Sequence, residues 1–390
     1  KLIKDWTEGL TEIIANKVLA TFGQDGSGAL DRLRQGGGFF GEFLRKTFKN
    51  LPNVDLSATD QVVLDMFLKT GKIIVYIDDL DRGWQGRPKD VTRVSALLNA
   101  VRDLVNDNKG LSFRVSLRSD VYYLVRTSDE STDKIENSVI WLSWENHEIF
   151  VLLIKRIETF FGRTVNEQEL LEQRQYKLAH YLNHVMAERF YGLGLWDDVP
   201  MYRILMSLVR KRPRDLVKLC TLSARHAREK NHTKIETNDL QAVFEEYSQG
   251  RLQDTINEYR SELPHIERLL LNMKPTKKER TTKESYLFTN DELTNKIDSI
   301  RQTGVFRFSN RKTADTKDLI HFLYKINFLT ARSELYTGTK RIYYEENRYL
   351  SSIYADFGFQ WEIHPAYRWA LQPQDTNDIY RKLELEADTK

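Results

Sequence analysis

Apolar residues recur at close to 3.6-residue spacing through Leu2, Trp6, Leu10, Ile13, Ile14 and Val18, which predicts an amphipathic helix over residues 2–22. Seven glycines from Gly23 to Gly41 then break the pattern and mark the loosest stretch of the N-terminal region. A helical pattern resumes through Phe43 and Phe48, and residues 57–71 (SATDQVVLDMFLKTG) read as a capped helix. The run from Ile73 to Ile77 is short, rich in β-branched residues and apolar throughout, as expected of a strand buried on both faces. Helical periodicity returns from Val91 to Val105. Phe113 to Leu117 (FRVSL), with Val121, Tyr122 and Tyr123, form a second strand candidate. Strand, helix, strand predicts a parallel α/β core.

Beyond Trp141 the pattern stays helical to about Tyr247, interrupted by a loop around Gly192, Gly194 and Pro200. Residues 272–284 (NMKPTKKERTTKE) carry five basic and two acidic side chains and read as a linker or exposed turn. Thr289-Asn290-Asp291-Glu292 supplies a capping-box helix start. A second helix is expected from Asp318 to Ile326, and LYTGTKRIYY alternates around Gly338 like a β-hairpin. Helix, helix, hairpin is the order of a winged helix. The expected division is an α/β core over 1–145, a helical module over 146–250, a connecting helix and basic linker over 251–284, and a winged-helix-like domain over 285–390.

Composition narrows the classes. With 19 Gly and 8 Pro in 390 residues, long elements should outnumber tight turns. The 59 basic and 56 acidic residues leave a formal net charge of +3, so any basic surface is local rather than global. A single cysteine, Cys220, excludes an internal disulfide and a cysteine zinc site and fits a reducing, cytoplasmic setting. No apolar run is long enough to span a membrane, so no membrane partner is expected. A chain that opens at Lys1 without a signal-like segment reads as a fragment.

The most informative stretch is KIIVYIDDLDRGW, Lys72 to Trp84. Five strand residues deliver Asp78 and Asp79 to a C-terminal strand edge, where α/β folds place ligands. Adjacent carboxylates repel, and a nearby cation relieves them. Asp78 suits Mg²⁺ held through its water shell, and Asp79 suits orienting or deprotonating an attacking water. A strand running into a plain acidic turn is the alternative reading of the dipeptide.

The segment resembles the Walker B strand of KAP-type and STAND-type P-loop ATPases, relatives of the AAA+ class. Phe113 to Asp120 (FRVSLRSD) is similar to the sensor-1 strand of that superfamily, with Arg118 at the position that reads the γ-phosphate and Ser119 beside it. Arg210 to Glu229 (RKRPRDLVKLCTLSARHARE) resembles the sensor-2 start of a lid helix, in which Pro213 suits the first turn and Arg214 projects from the N-terminal end. The C-terminal FLYKINFLTARS and FQWEIHPAYRWAL resemble the winged-helix tail of a prokaryotic P-loop ATPase family that shares the DDLDR, RPRDL and HPA-aromatic-R segments. That resemblance covers most of the chain. It implies an α/β P-loop NTPase core with a parallel sheet, an α-helical lid and a C-terminal winged-helix-like domain.

The implied activity is that of an ATP-binding, ATP-hydrolysing switch or remodelling ATPase, in the setting of a prokaryotic anti-phage defence system. The implied cofactors are ATP and Mg²⁺, with Asp79 and Arg118 in catalysis, Asp78, Ser119 and Arg214 on nucleotide or metal, and Arg82 or Arg87 as an arginine finger. Partners follow as other copies of the chain and an effector protein. The departure from the pattern is that no GxxxxGK[ST] phosphate loop is present. Gly23 to Leu30 (GQDGSGAL) has the glycines, but Ala29 and Leu30 stand where Lys and Ser/Thr belong. The loop is expected upstream of Lys1.

The alternative is a non-hydrolysing scaffold that binds DNA or an effector protein through its basic lid and winged helix. From Met201 to Lys230 there are nine basic and two acidic residues, a local excess that calls for a polyanion or for acidic neighbours within the protein. The recognition-helix candidate TKDLIHFLYKINFL carries only Lys317 and Lys325 as cations, which ranks protein contact above DNA contact for that domain. His364 and Arg368 read as packed structural residues rather than a catalytic pair, and His180 with His184 is a weak metal candidate.

Overall fold

In a computed structural model of the chain, the described residues are 4–6, 9–10, 13–14, 72–128, 130–280, 285–335, 338–351, 359–372, 379–380 and 383–387. The predicted glycine-rich stretch, the Phe43–Phe48 helix and the capped helix over 57–71 lie outside them. The chain divides into two compact units, residues 1–140 and 141–390.

In the first unit, strand β1 (Ile73–Ile77) pairs in parallel with β2 (Leu111–Val115), from Ile73 opposite Leu111 to Ile77 opposite Val115. Helix α1 (Pro88–Asp107) connects them, with Pro88 in its first turn, where a missing N–H costs nothing. One side of α1 sends Leu97 and Leu104 against Leu111 and Phe113, with Leu10 and Ile14 in the same cluster. Its other side sends Val91, Val94 and Leu98 against Trp84, Val121 and Val125. β1 alternates rather than being buried on both faces, because Ile74 and Tyr76 are exposed while Ile73, Val75 and Ile77 pack inward. The unbroken apolar run hid that alternation. Val121 to Tyr123 do not extend the second strand; they belong to helix α2 (Ser119–Ser128), whose Val121 and Val125, four residues apart, share a buried face.

The second unit is built on helices. α3 (Asn146–Phe160), α4 (Glu167–Glu172) and α5 (Gln175–Leu178) lead into a short antiparallel pair, β3 (Arg189–Phe190) and β4 (Val199–Pro200). α6 (Met201–Leu208), α7 (Pro213–Glu229) and α8 (Thr237–Tyr259) follow, and α7 buries Leu216, Leu219, Leu222 and Ala227. α9 (Ile266–Asn272) and α10 (Lys277–Arg280) occupy the stretch whose end reads as a linker. It is anchored: the Lys296 ammonium donates to the Lys274 carbonyl at 2.9 Å and to the Glu279 carboxylate at 2.8 Å.

The remainder comprises β5 (Leu287–Phe288), α11 (Asn290–Gln302), α12 (Thr316–Lys325), β6 (Leu329–Leu335), β7 (Gly338–Ile342), β8 (Gln360–Ile363) and α13 (Arg368–Leu371). The four strands form an antiparallel sheet in the order β5, β8, β6, β7. Thr289 caps α11 and is capped in return by Glu292, so the box read from sequence forms as written. The stretches assigned to lid, connector and C-terminal domain share one hydrophobic core. Aromatic rings join them: Phe244 of α8 lies 4.8 Å from Trp369 of α13, centroid to centroid, with Trp196 and Tyr380 beside them.

Candidate nucleotide site

β1 and β2 run in the same direction, so their C-terminal tips emerge side by side. From these tips come Asp78 and Ser116. The Ser116 hydroxyl donates to Asp78 Oδ1, and the Asp79 backbone N–H donates to the same oxygen at 2.9 Å. The Ser116 hydroxyl and then the Asp79 amide hold the Asp78 carboxyl below its ordinary range, so it is an anion at neutral pH. The ladder continues past the strands, since Ser116 N–H donates to the Ile77 carbonyl at 2.9 Å. Asp78 and Asp79 are both exposed.

Asp79 has φ 58°, the left-handed conformation. It starts a tight turn in which Arg82 N–H reaches the Asp79 carbonyl at 3.1 Å and Trp84 N–H reaches the Asp81 carbonyl at 2.9 Å. Trp84 is buried, so it pins the far end of the turn to the core of this unit.

Arg118 takes a different position from the one the sequence suggests. Its guanidinium forks onto Asp120, Nε at 3.0 Å and Nη2 at 2.7 Å, and lies 3.6 Å from Asp81. The polar side chain that reaches Asp78 is Ser116, two residues earlier. Ser119 opens α2. Ser116 directly follows β2, at the same level as the residue that follows β1, whereas the sequence pattern places it inside the strand candidate FRVSL. Arg87 is the N-cap of α1 and pairs with Asp90 at 3.3 Å, whereas Arg82 is exposed in the turn.

The remaining site candidate, Arg214, lies in the second unit. It is the second residue of α7 and is exposed. The residues around it are interior. Arg210 forks onto Asp215 with Nε at 2.7 Å and Nη2 at 3.0 Å, and Arg251 reaches Asp215 at 2.6 Å. Burial pushes the Asp215 carboxyl up, but Arg210 and Arg251 more than offset that and hold it well below the usual carboxylate range. Arg212 pairs with Glu258 at 2.9 Å and Lys211 with Glu346. Part of the basic run is therefore neutralised within the protein.

His364 and Arg368 are both fully buried. The His364 ring accepts from Ala366 N–H at 3.1 Å and meets the Tyr343 hydroxyl at 2.9 Å through its other nitrogen. Burial, then the positive charges of Arg341 and Arg210, hold this imidazole well below its usual value, so it is neutral. Arg368 donates to the Ile363 carbonyl at 3.1 Å and pairs with Glu362. These residues shape the interior.

No set of three or more His, Cys, Asp or Glu side chains is placed to hold a metal among the described residues. At the tip of β1 the donors are oxygens only: the Asp78 carboxylate, the Asp79 carboxylate and the Ser116 hydroxyl. That donor set fits Mg²⁺, which takes one or two carboxylates and fills its other positions with phosphate oxygens and water.

Residues 168–256, from α4 into α8, match the FunZ-associated C-terminal helical domain family. Over 217 residues the chain is 21% identical to the putative transposon gamma-delta 80.3 kDa protein of Escherichia coli (strain K12), an alignment that takes in 55% of this chain and 29% of that protein. This chain thus spans less than a third of that relative's length. No solved structure matches it. No helix among the described residues is long and apolar enough to cross a membrane.

Proposed function

We propose that the protein is an ATP-binding, ATP-hydrolysing switch of the P-loop type, with the tips of β1 and β2 as part of its nucleotide site. The observation that carries this reading is the hydrogen bond from Ser116 to Asp78, which ties an ionised carboxylate to a polar side chain on the adjacent parallel strand. In this reading Asp78 holds Mg²⁺ through water, Asp79 orients the attacking water, and Ser116 fixes the Asp78 rotamer. Bound Mg²⁺ neutralises phosphate charge. In this reading Arg118, held by Asp120 of α2 and by Asp81 of the turn after β1, reads the γ-phosphate. Arg214, exposed in the first turn of α7 in the second unit, keeps the sensor-2 assignment only as what the resemblance implies. Arg82, exposed in the turn, is the better arginine finger toward a neighbouring copy, because Arg87 is committed to its helix cap.

The P-loop-type core, the helical lid and a winged-helix role for α11, α12 and the β6–β7 hairpin belong to the same proposal. So do the homo-oligomer and the effector protein. Similarity to a protein named for transposon gamma-delta accords with a mobile-element setting. The test is binding and hydrolysis of radiolabelled ATP by the complete gene product and by a variant carrying Asp78→Asn and Asp79→Asn. Hydrolysis lost in the variant supports the reading. Neither binding nor turnover in the wild type replaces it with the non-hydrolysing scaffold, which the engagement of Arg118 by Asp81 and Asp120 favours.

A further inference from the structure

Seven of the nine basic residues from Met201 to Lys230 fall into two sets of side chains. Arg210, Lys211 and Arg212 are consumed by Asp215, Glu346 and Glu258. Arg214, Lys218, Arg225 and Arg228 are exposed on α7 and make no side-chain ion pair or hydrogen bond with any described residue. At about 100° per residue these four fall within an arc of roughly 80°. They form one stripe, about 21 Å long at ~1.5 Å per residue. The neutral residue between them is Thr221, and no acidic side chain interrupts them; Glu229 flanks the end. The opposite face of the helix buries Leu216, Leu219, Leu222 and Ala227, so the stripe is mounted on a rigid element.

We propose that this stripe docks on the phosphate backbone of a double-stranded nucleic acid, independently of base sequence. Charge complementarity supplies the attraction, and a straight row of cations matches a phosphate ridge. The stripe has no aromatic side chain, which sets it apart from single-strand platforms that stack bases. It has no large apolar anchor, which sets it apart from protein interfaces whose energy sits in buried aromatic residues. It has no Asn or Gln among its exposed donors, so it reads backbone rather than base edges. This inference does not rest on the nucleotide site, and its test avoids Arg214.

The experiment is fluorescence anisotropy of the complete protein with a duplex DNA of about 30 base pairs across a salt series. It compares wild type with a variant carrying Lys218→Gln, Arg225→Gln and Arg228→Gln, which is expected to keep ATP turnover. Three lost phosphate contacts should flatten the log–log salt slope by about 2.7, and affinity near 100 mM salt should fall at least tenfold. Arg225→Glu alone, one exposed position, should weaken binding more than Arg225→Gln, which keeps the test open if the triple variant melts early. Absent binding by wild type, an unchanged slope in the variants, tighter binding to an oligo-dT of equal length, or equal displacement by polyglutamate would each overturn the proposal.

Discussion

Arg341 forks onto Glu362, Nε 2.8 Å from one carboxylate oxygen and Nη2 3.1 Å from the other, and both side chains are fully enclosed. Arg368 approaches the same carboxylate, and Arg341 also reaches Glu386. Removing the Glu362 charge takes from two buried guanidinium groups the carboxylate they share, leaving Arg341 with Glu386. Glu362→Gln should therefore cost about 3–5 kcal/mol, measured by urea unfolding at neutral pH. Burial pushes the Glu362 carboxyl up, but Arg341 and Arg368 bring it down from 4.5 to about 2. A depressed carboxylate stabilises the fold above its unfolded value and loses that contribution as pH falls through the folded one. The wild type should lose stability between pH 4.5 and about 2, and the variant should show a weaker acid dependence in that window.

Asp79 pairs its carboxylate with a left-handed backbone, φ 58°, which suits glycine best and tolerates Asp and Asn. Conformation and chemistry therefore separate on substitution. Asp79→Gly should keep or slightly raise the melting temperature while lowering ATP turnover at least ~100-fold, the usual scale for losing a positioned base. Asp79→Val should cost about 1–2 kcal/mol of stability as well. Turnover that survives in Asp79→Gly excludes this carboxylate from the chemistry.

The elements that periodicity predicts best are those with one wet face and one dry one. α11 and α12 form where the capping residues Thr289 and Asp315 stand, and β6 pairs with β7 from Leu335 opposite Gly338 to Ala331 opposite Ile342. The strand after α1 was harder, because Val121 and Tyr122 look equally apolar in a strand or in a helix that starts at Ser119. Within the site, the Asp78–Asp79 pair was legible because an apolar run that stops at two carboxylates is unusual. Ser116 was not, because a serine one residue beyond a strand carries no signature until the parallel register places it opposite Asp78. The charge excess near Arg214 was visible, but not its division into buried pairs and an exposed stripe. Glu258 and Glu346 come from distant parts of the chain.

Asp239 is fully buried and accepts from His226 at 2.8 Å, from His232 at 2.9 Å and from the Glu236 backbone N–H at 2.8 Å. It ties the end of α7 to the start of α8. Its hydrogen bond to His232, and then the charges of Asp239 and Glu236, outweigh burial and raise the His232 imidazole above 6.5. A raised histidine stabilises the fold fully below its unfolded value and loses that contribution as pH rises through the folded one. His232→Ala should therefore lower the melting temperature more at pH 6 than at pH 9. An equal drop at both values would assign the ring a packing role alone.

Arg118 separates structural from chemical importance in the first unit. Its fork onto Asp120 is partly solvated, with relative exposures of 22% and 10%, so the pair belongs to the class that contributes only about 0.2–1 kcal/mol. Lysine keeps the charge but cannot reproduce the planar two-point contact. Arg118→Lys should shift the unfolding free energy by less than about 1 kcal/mol. If the guanidinium also meets the γ-phosphate, turnover should fall more than about tenfold with nucleotide affinity nearly retained, because the lost contact is worth most in the transition state. Turnover and stability falling in proportion would leave Arg118 as the clasp that holds Asp81 and Asp120 together, with Ser116 and Asp78 alone at the tip.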